Sequence, residues 1–99
     1  MKVLLLHGRS IVLVTLPKND IATETADLQK LVGGFLEVVP LADDAALLVD
    51  EDGLCKCLPV NTSASMLAGR PIVGDAVVVG VAKNEDGELY FTDVPQGLI

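Results

Sequence analysis

The chain has 99 residues, enough for a single domain over residues 1–99, and its 51% hydrophobic and 21% charged residues are typical of a folded globular protein. Its net charge of −7 comes from fourteen acidic and seven scattered basic residues, which argues against direct nucleic-acid binding because phosphate contacts need clustered cations. Only 3% of the residues are aromatic and no run approaches 18 apolar residues, so we expect an aliphatic, strand-rich core and no membrane span.

Two apolar runs come first, at residues 2–7 and 11–16, and both predict β-strands. Gly8 lies in the short connection, where a tight turn needs a positive φ, so we interpret the pair as a hairpin. Neither run alternates between apolar and polar residues. This pattern indicates burial on both faces, or a second subunit that covers one face and makes the protein a homodimer.

An amphipathic helix is predicted over residues 20–32. Asp20 is a suitable N-cap, and apolar residues follow it at helical spacing. Glu24 lies early and Lys30 late, as the helix dipole prefers. Gly33 can end the helix in the left-handed conformation.

Three strands are predicted after this helix. Asp52-Gly53 between two apolar runs is a hairpin signal. Pro40 cannot donate to a sheet ladder, which puts its strand at an edge or ends it there. The three predicted strands cover residues 35–41, 45–50 and 54–58.

A second, short helix is predicted to begin after Asn61 and to end at Gly69. A last hairpin follows, with strands at residues 75–82 and 88–94. The predicted fold class is therefore α+β, with the order ββαβββαββ and a mainly antiparallel sheet packed with two helices.

The two cysteines, Cys55 and Cys57, are alternate residues of one predicted strand, which is poor geometry for a disulfide. We expect them to be free thiols packed on a sheet face, which suits a cytoplasmic protein. Two cysteines and one histidine do not supply the four ligands of structural zinc, so we expect no metal and no cofactor. A thiol activated by His7 is the catalytic alternative.

Arg70 is a candidate for binding an anion. It lies in a loop beside Pro71, close in sequence to the helix that Asn61 begins, and a helix start attracts anions. A surface arginine paired with a carboxylate is the alternative interpretation.

Four motifs occur in a fixed order along the chain. They are Val32-Gly33-Gly34-Phe35-Leu36-Glu37-Val38-Val39, Asp50-Glu51-Asp52-Gly53-Leu54, Leu58-Pro59-Val60-Asn61, and Ile72-Val73-Gly74-Asp75-Ala76 with Val79-Gly80. Together they resemble a family of small proteins of uncharacterised function from phages, plasmids and some Gram-positive bacteria. The resemblance spans about residues 28–82, and Phe35 stands where many relatives are expected to have tyrosine.

The resemblance implies a phage or mobile-element origin and transfers no established activity. Caps and turns explain most of the motif residues, which leaves Glu37 and Asp75 as the least explained pair. The residues that we single out for a binding site are Gly33, Gly34, Glu37, Asn61, Arg70 and Asp75.

Small size, an acidic surface and the absence of a catalytic motif favour a non-catalytic interaction protein. We expect it to bind a host protein, with counter-defence as its role. The alternative is an oligomeric protein that binds or sequesters a small molecule such as a nucleotide, held at Arg70. An enzyme that uses side chains such as Glu37, His7 or the cysteines is a third hypothesis.

Overall fold

The computed structural model describes residues 1–17 and 20–98, in which one sheet of six strands is packed with two α-helices. The α+β class and the mainly antiparallel sheet are confirmed. None of the described helices is long and apolar enough to cross a membrane. The elements are β1 (Lys2–His7), β2 (Ser10–Thr15), α1 (Ile21–Val32), β3 (Leu36–Ala42), β4 (Ala45–Asp50), α2 (Thr62–Ala68), β5 (Ala76–Lys83), β6 (Leu89–Thr92) and a short 3₁₀ turn (Gln96–Leu98).

The sheet has the strand order β2-β1-β5-β4-β3, and every neighbouring pair is antiparallel. Residue Val78 of β5 lies between Leu4 of β1 and Leu47 of β4. The far half of β5 pairs with β6, beginning at Gly80 opposite Thr92. Strands β2 and β3 are therefore the two ends of this five-strand path, and β6 pairs with β5 alone.

Side chains of the central strands alternate between two buried clusters, one on each face of the sheet. On the face that we call the α1 face, Val77 packs with Leu28 and Val32 of α1. On the opposite α2 face, Val78 packs with Leu6 and with Ala64 of α2. The domain thus has three layers, with one helix on each side of the sheet.

The predicted cap residues and the turn at Gly8 are confirmed. Gly8 has φ 57° in the β1–β2 turn. Asp20 accepts a hydrogen bond from the Thr23 amide at 2.8 Å, and Gly33 ends α1 with φ 90°. Gly69 ends α2 in the same left-handed conformation. Each signal acts within a few residues, so it does not depend on how the strands pair.

The predicted strand at residues 54–58 is wrong, and the element order is ββαββαββ. Residues 51–57 form consecutive turns, and Cys57 takes a left-handed φ of 55°. Strand β4 already pairs with β3 and β5 on its two edges, so it cannot accept another neighbour. Cys55 and Cys57 are free thiols as predicted, but they are exposed in this turn and do not pack on a sheet face.

Gly80 is a position where backbone atoms leave no room for a side chain. A Cβ atom there would lie 2.1 Å from the Asp93 backbone carbonyl oxygen, whereas one at Gly97 would meet nothing within 4 Å. We expect Gly80→Ala to lower the free energy of unfolding by about 2–3 kcal/mol, because backbone must shift to accept the methyl group. Gly97→Ala is the matched control and should stay within about 0.5 kcal/mol. Urea denaturation measures both, and equal effects would contradict this packing.

Candidate functional site

Glu37 and Arg70 face each other across a cleft on the α2 face. The Arg70 guanidinium donates a hydrogen bond of 3.4 Å to the Glu37 carboxylate, and both side chains are about half exposed. The cleft has a volume of about 440 Å³, and Asp50 and Glu51 also line it. Arg70 is therefore the carboxylate-paired arginine that the sequence left as an alternative. An exposed pair of this kind adds little stability.

Arg70 does not share a site with the start of α2. The helix begins after Asn61 and ends at Gly69, so Arg70 follows its C-terminal end. Asn61 is buried, and all its polar groups have protein partners. Its amide nitrogen donates to the carbonyls of Leu6 and Gly74 at 2.7 and 2.9 Å, and its carbonyl accepts from the Ala64 amide at 3.0 Å. Asn61 thus ties α2 to the sheet and leaves no atom for a ligand.

Gly33 and Gly34 belong to a structural cluster around Asp50. The buried Asp50 carboxylate accepts a 2.6 Å hydrogen bond from Lys56 and one of 2.9 Å from the Asp52 amide. Lys56 also donates to the Gly33 carbonyl at 3.2 Å. The hydrogen bond from Lys56 lowers the pKa of Asp50 despite the opposing effect of burial, and the same bond raises the pKa of Lys56.

Asp75 pairs with His7, a contact that the sequence did not indicate. The His7 Nδ1 atom lies 2.5 Å from the Asp75 carboxylate, where β1 ends beside the start of β5. Their side chains are 72% and 37% exposed, so water surrounds the pair. The partner of His7 is this carboxylate, and in the described residues no hydrogen bond joins His7 to Cys55 or Cys57.

The predicted site residues therefore lie in separate places. Glu37 and Arg70 meet in one cleft, and Gly33 and Gly34 support the Asp50 cluster. Asn61 is part of the core, and Asp75 lies with His7 at a strand end. The structure does not join the six residues into one binding site.

The outer edge of β2 presents unpaired backbone groups. Met1 and Leu16 exchange two hydrogen bonds, of 2.6 and 2.7 Å, at the start of the β1–β2 ladder. Hydrogen-bonded and non-hydrogen-bonded pairs alternate along an antiparallel ladder. Ser10, Val12 and Val14 therefore direct their N–H and C=O groups toward β1. Those of Ile11, Leu13 and Thr15 point outward, with no partner among the described residues.

The side chains of this edge strand are apolar and exposed on both faces of the sheet. Ile11, Val12 and Leu13 are 60%, 50% and 46% exposed. Ile11 and Leu13 lie opposite Leu6 and Leu4 of β1, which places them on the α2 face, whereas Val12 lies on the α1 face.

An apolar groove runs between the β1–β2 hairpin and α2. Its volume is about 390 Å³, and its α2 wall is formed by Met66, which is 80% exposed, and Leu67, which is 43% exposed. Such a contiguous apolar surface on a small domain is typical of an interaction site. The groove is lined by Leu4, Leu6, Ile11, Ser63, Met66, Leu67 and Val78.

The other sheet edge, β3, carries features that protect it from strand pairing. Pro40 lies within it, as the sequence predicted, and its register shifts between Pro40 and Ala42. The exposed Glu37 adds a charge. Proline, bulges and charged side chains are the means by which proteins prevent edge pairing. Strand β2, from Ser10 to Thr15, has none of these features.

Charge is divided unevenly between the hairpin and the rest of the chain. Residues 1–19 contain three basic residues and no acidic residue, while residues 20–99 contain four basic and all fourteen acidic residues. Helix α2 has no charged side chain. Arg9, in the β1–β2 turn, is exposed and has no carboxylate within 4 Å in the described part of the chain. The hairpin and its groove are thus the non-acidic part of an acidic protein.

Sequence analysis missed this surface, although two signals for it were present. The run at residues 11–16 lacks alternation, and residues 1–19 lack acidic residues. The sequence suggested a second subunit as one cover for the hairpin. It did not show that β1 is buried on both faces while β2 is exposed on both.

Comparison with known proteins gives one family. A family model described as a domain of unknown function (DUF3846) matches residues 1–99. The match extends beyond residues 28–82, over which the four motifs carry the resemblance. No curated protein and no solved structure matches the chain.

The close contact between Gly34 and Asp50 can be tested with a double-mutant cycle. A Cβ atom at Gly34 would lie 2.7 Å from the Asp50 carboxylate, which the Lys56 and Asp52 hydrogen bonds hold in place. We expect Gly34→Ala to destabilise the protein by about 2 kcal/mol. In an Asp50→Ala background the same change should cost at least about 1 kcal/mol less. Urea denaturation of the four proteins gives the coupling, and additive effects would contradict the contact.

The Asp50–Lys56 pair predicts a pH dependence of stability. Because the folded pKa of Asp50 lies below its unfolded value near 3.8, the pair stabilises the protein above that pH and loses this effect as the pH falls through the folded pKa. Lys56→Met should raise the folded pKa of Asp50 and move the midpoint of acid unfolding to higher pH. An acid titration followed by circular dichroism measures this midpoint. The control is Lys83→Met, at the exposed end of β5, and equal midpoints for the two variants would refute the assignment.

Proposed function

We propose a function for this chain, which belongs to the DUF3846 family: it is an interaction protein that binds a segment of a partner protein in the groove between α2 and the β1–β2 hairpin. The observation that carries this proposal is the exposure of Ile11, Met66 and Leu67 side by side around one groove.

Binding in this groove would be driven by removal of apolar surface from water. Each 100 Å² of apolar surface buried contributes about 2.5 kcal/mol before the costs of association. The floor of the groove comes from the rigid sheet, at Leu4, Leu6 and Val78. Its wall includes Met66, whose flexible thioether side chain adapts to partners of different shape.

The charge around the groove indicates the kind of segment that fits. The hairpin and α2 carry no acidic side chain, and the exposed Arg9 lies two residues from Ile11 in the groove. A segment with apolar side chains and an acidic residue near Arg9 complements this surface. The partner that we propose is a host-cell protein, with a phage or mobile element as the source of the chain and counter-defence as its role. The motif resemblance supports this setting.

Nucleotide sequestration, the alternative from the sequence, is less consistent with the cleft at Arg70. Glu37 and Glu51 line that cleft with Arg70, and Arg70 is already paired with Glu37, whereas the Asp50 carboxylate is buried against Lys56. A phosphate group placed there would meet more negative than positive charge. We therefore propose the groove, and not this cleft, as the functional site.

Met66 and Leu54 provide a matched test. They are equally exposed, at 80% and 82%, but only Met66 lines the groove. We expect Met66→Glu to weaken partner binding at least tenfold, because a carboxylate in an apolar contact is desolvated without compensation. Leu54→Glu should leave affinity within about twofold. Partners are captured from host lysate on the parent chain and both variants, and the affinity of each purified candidate is then measured by calorimetry.

The comparison between the two variants decides the outcome. A purified partner that binds Leu54→Glu but not Met66→Glu supports the proposal. A partner that binds Met66→Glu with parental affinity, or the absence of any protein whose capture depends on Met66, would overturn it. Thermal unfolding of both variants shows that the comparison is made between folded proteins.

A further inference from the structure

We infer that β2 is the contact strand of a symmetric homodimer, in which two copies pair their β2 strands antiparallel about a two-fold axis at Val12 and join their sheets into one. Strand β2 is apolar, exposed and without the protective features of β3. Such an edge pairs with another strand when one is available. The partner to which the geometry points is a second copy of this chain.

The positions of the outward backbone groups restrict how two copies can pair. Directly opposite residues of an antiparallel pair point to the same face of the sheet. Successive side chains alternate between faces, so a residue can lie opposite only those residues that share its face. The two-fold axis must therefore place one residue of β2 directly opposite the same residue of the other copy. The two residues nearest the middle of β2, Val12 and Leu13, are the candidates for the residue at the axis.

An axis at Val12 uses the edge most completely. It places Ile11 of each copy opposite Leu13 of the other, so that the outward N–H and C=O groups of both residues form hydrogen-bonded pairs. The same axis places Arg9 opposite Thr15. An axis at Leu13 would instead place Ile11 opposite Thr15 and Arg9 opposite Pro17, which has no N–H group. The Val12 axis therefore gives more hydrogen bonds and better apolar matching.

The charge distribution makes this surface suitable for self-association. Two copies of a chain with a net charge of −7 repel each other at most surfaces. Residues 1–19 carry no acidic residue, so pairing at β2 brings two non-acidic hairpins together. The acidic remainder of each copy then lies toward the far ends of the joined sheet. The two Arg9 side chains lie about 20 Å apart in this register, beyond the screening length at physiological salt.

A two-fold axis perpendicular to the sheet keeps both α2 helices on the same face. The groove of each copy, lined by Ile11 and Met66, therefore remains on one side of the joined sheet. Dimerisation does not depend on the proposed partner protein. The Met66→Glu test reports on the partner, and the molecular mass of the free protein reports on the dimer.

Leu13 allows the edge to be blocked without breaking the hairpin. Its N–H group points outward, so Leu13→Pro removes a hydrogen bond of the dimer and none of the β1–β2 ladder. Size-exclusion chromatography with light scattering should give the parent protein a mass twice the 10.4 kDa of one chain. We expect Leu13→Pro to raise the dimer dissociation constant at least tenfold more than Leu13→Ala, which removes the side chain but keeps the N–H group. Circular dichroism verifies that both variants fold.

Single cysteines test the register. In a Cys55→Ser, Cys57→Ser background, Val12→Cys should form an intermolecular disulfide rapidly on mild oxidation. The two residues at the axis form a non-hydrogen-bonded pair with Cα atoms about 4.5 Å apart, within disulfide reach. Leu13→Cys should remain reduced, because its counterpart is displaced by two residues along the strand, beyond disulfide reach.

Each outcome bears on the inference. A dimer that Leu13→Pro dissociates and Val12→Cys crosslinks supports it. A parent chain that stays monomeric at millimolar concentration, or a dimer that Leu13→Pro leaves intact, would overturn β2 as the contact strand. A disulfide that forms in Leu13→Cys and not in Val12→Cys would overturn the axis at Val12.

Discussion

Burial of β5 on both faces is the constraint on which the rest of the structure depends. Its residues Val77, Val78 and Val79 have no exposed surface, so each face of the sheet needs a covering layer. The two helices differ in length: α1 has twelve residues and α2 has seven, or about 18 and 10 Å. The shorter helix, α2, covers less of the sheet than α1 does. The uncovered strip of the α2 face beside this helix is the apolar groove. The candidate site thus results from how the core is covered.

The wall of this groove is fixed by a buried polar side chain. Asn61 caps α2 and also donates hydrogen bonds to the carbonyls of Leu6 in β1 and Gly74 before β5, so one amide links the helix to β1 and to the segment that leads into β5. A fully satisfied polar group in the core makes a junction rigid, since any displacement would leave its partners unpaired. The backbone of α2, which carries Met66 and Leu67, is therefore held in place beside the sheet. A groove whose backbone is held in this way loses little backbone entropy when it binds a partner, while the Met66 side chain remains free to adapt.

Local features of the fold could be predicted from the sequence, and features that depend on distant pairing could not. Asp20, Gly33, Asn61 and Gly69 act within a few residues, and each was placed correctly. The strand predicted at residues 54–58 failed because Asp52-Gly53 has the same turn chemistry whether or not a strand follows. Whether one follows depends on β5, far along the chain, which occupies the remaining edge of β4. For the same reason, the sequence did not show which carboxylate pairs with Arg70, or that Asp75 pairs with His7.

The contrast between the two sheet edges connects fold and function. The same chain protects β3 with Pro40, a register shift and Glu37, yet leaves the six residues of β2 regular and uncharged, with four consecutive apolar residues at its centre. An unprotected edge exposes a protein to aggregation, so selection should remove it unless something covers it in the working state. Residues 1–19 also lack the acidic side chains that are frequent elsewhere in the sequence. Strand features and charge are separate properties, and both support the proposal that the β1–β2 hairpin is the surface at which this domain meets another protein chain.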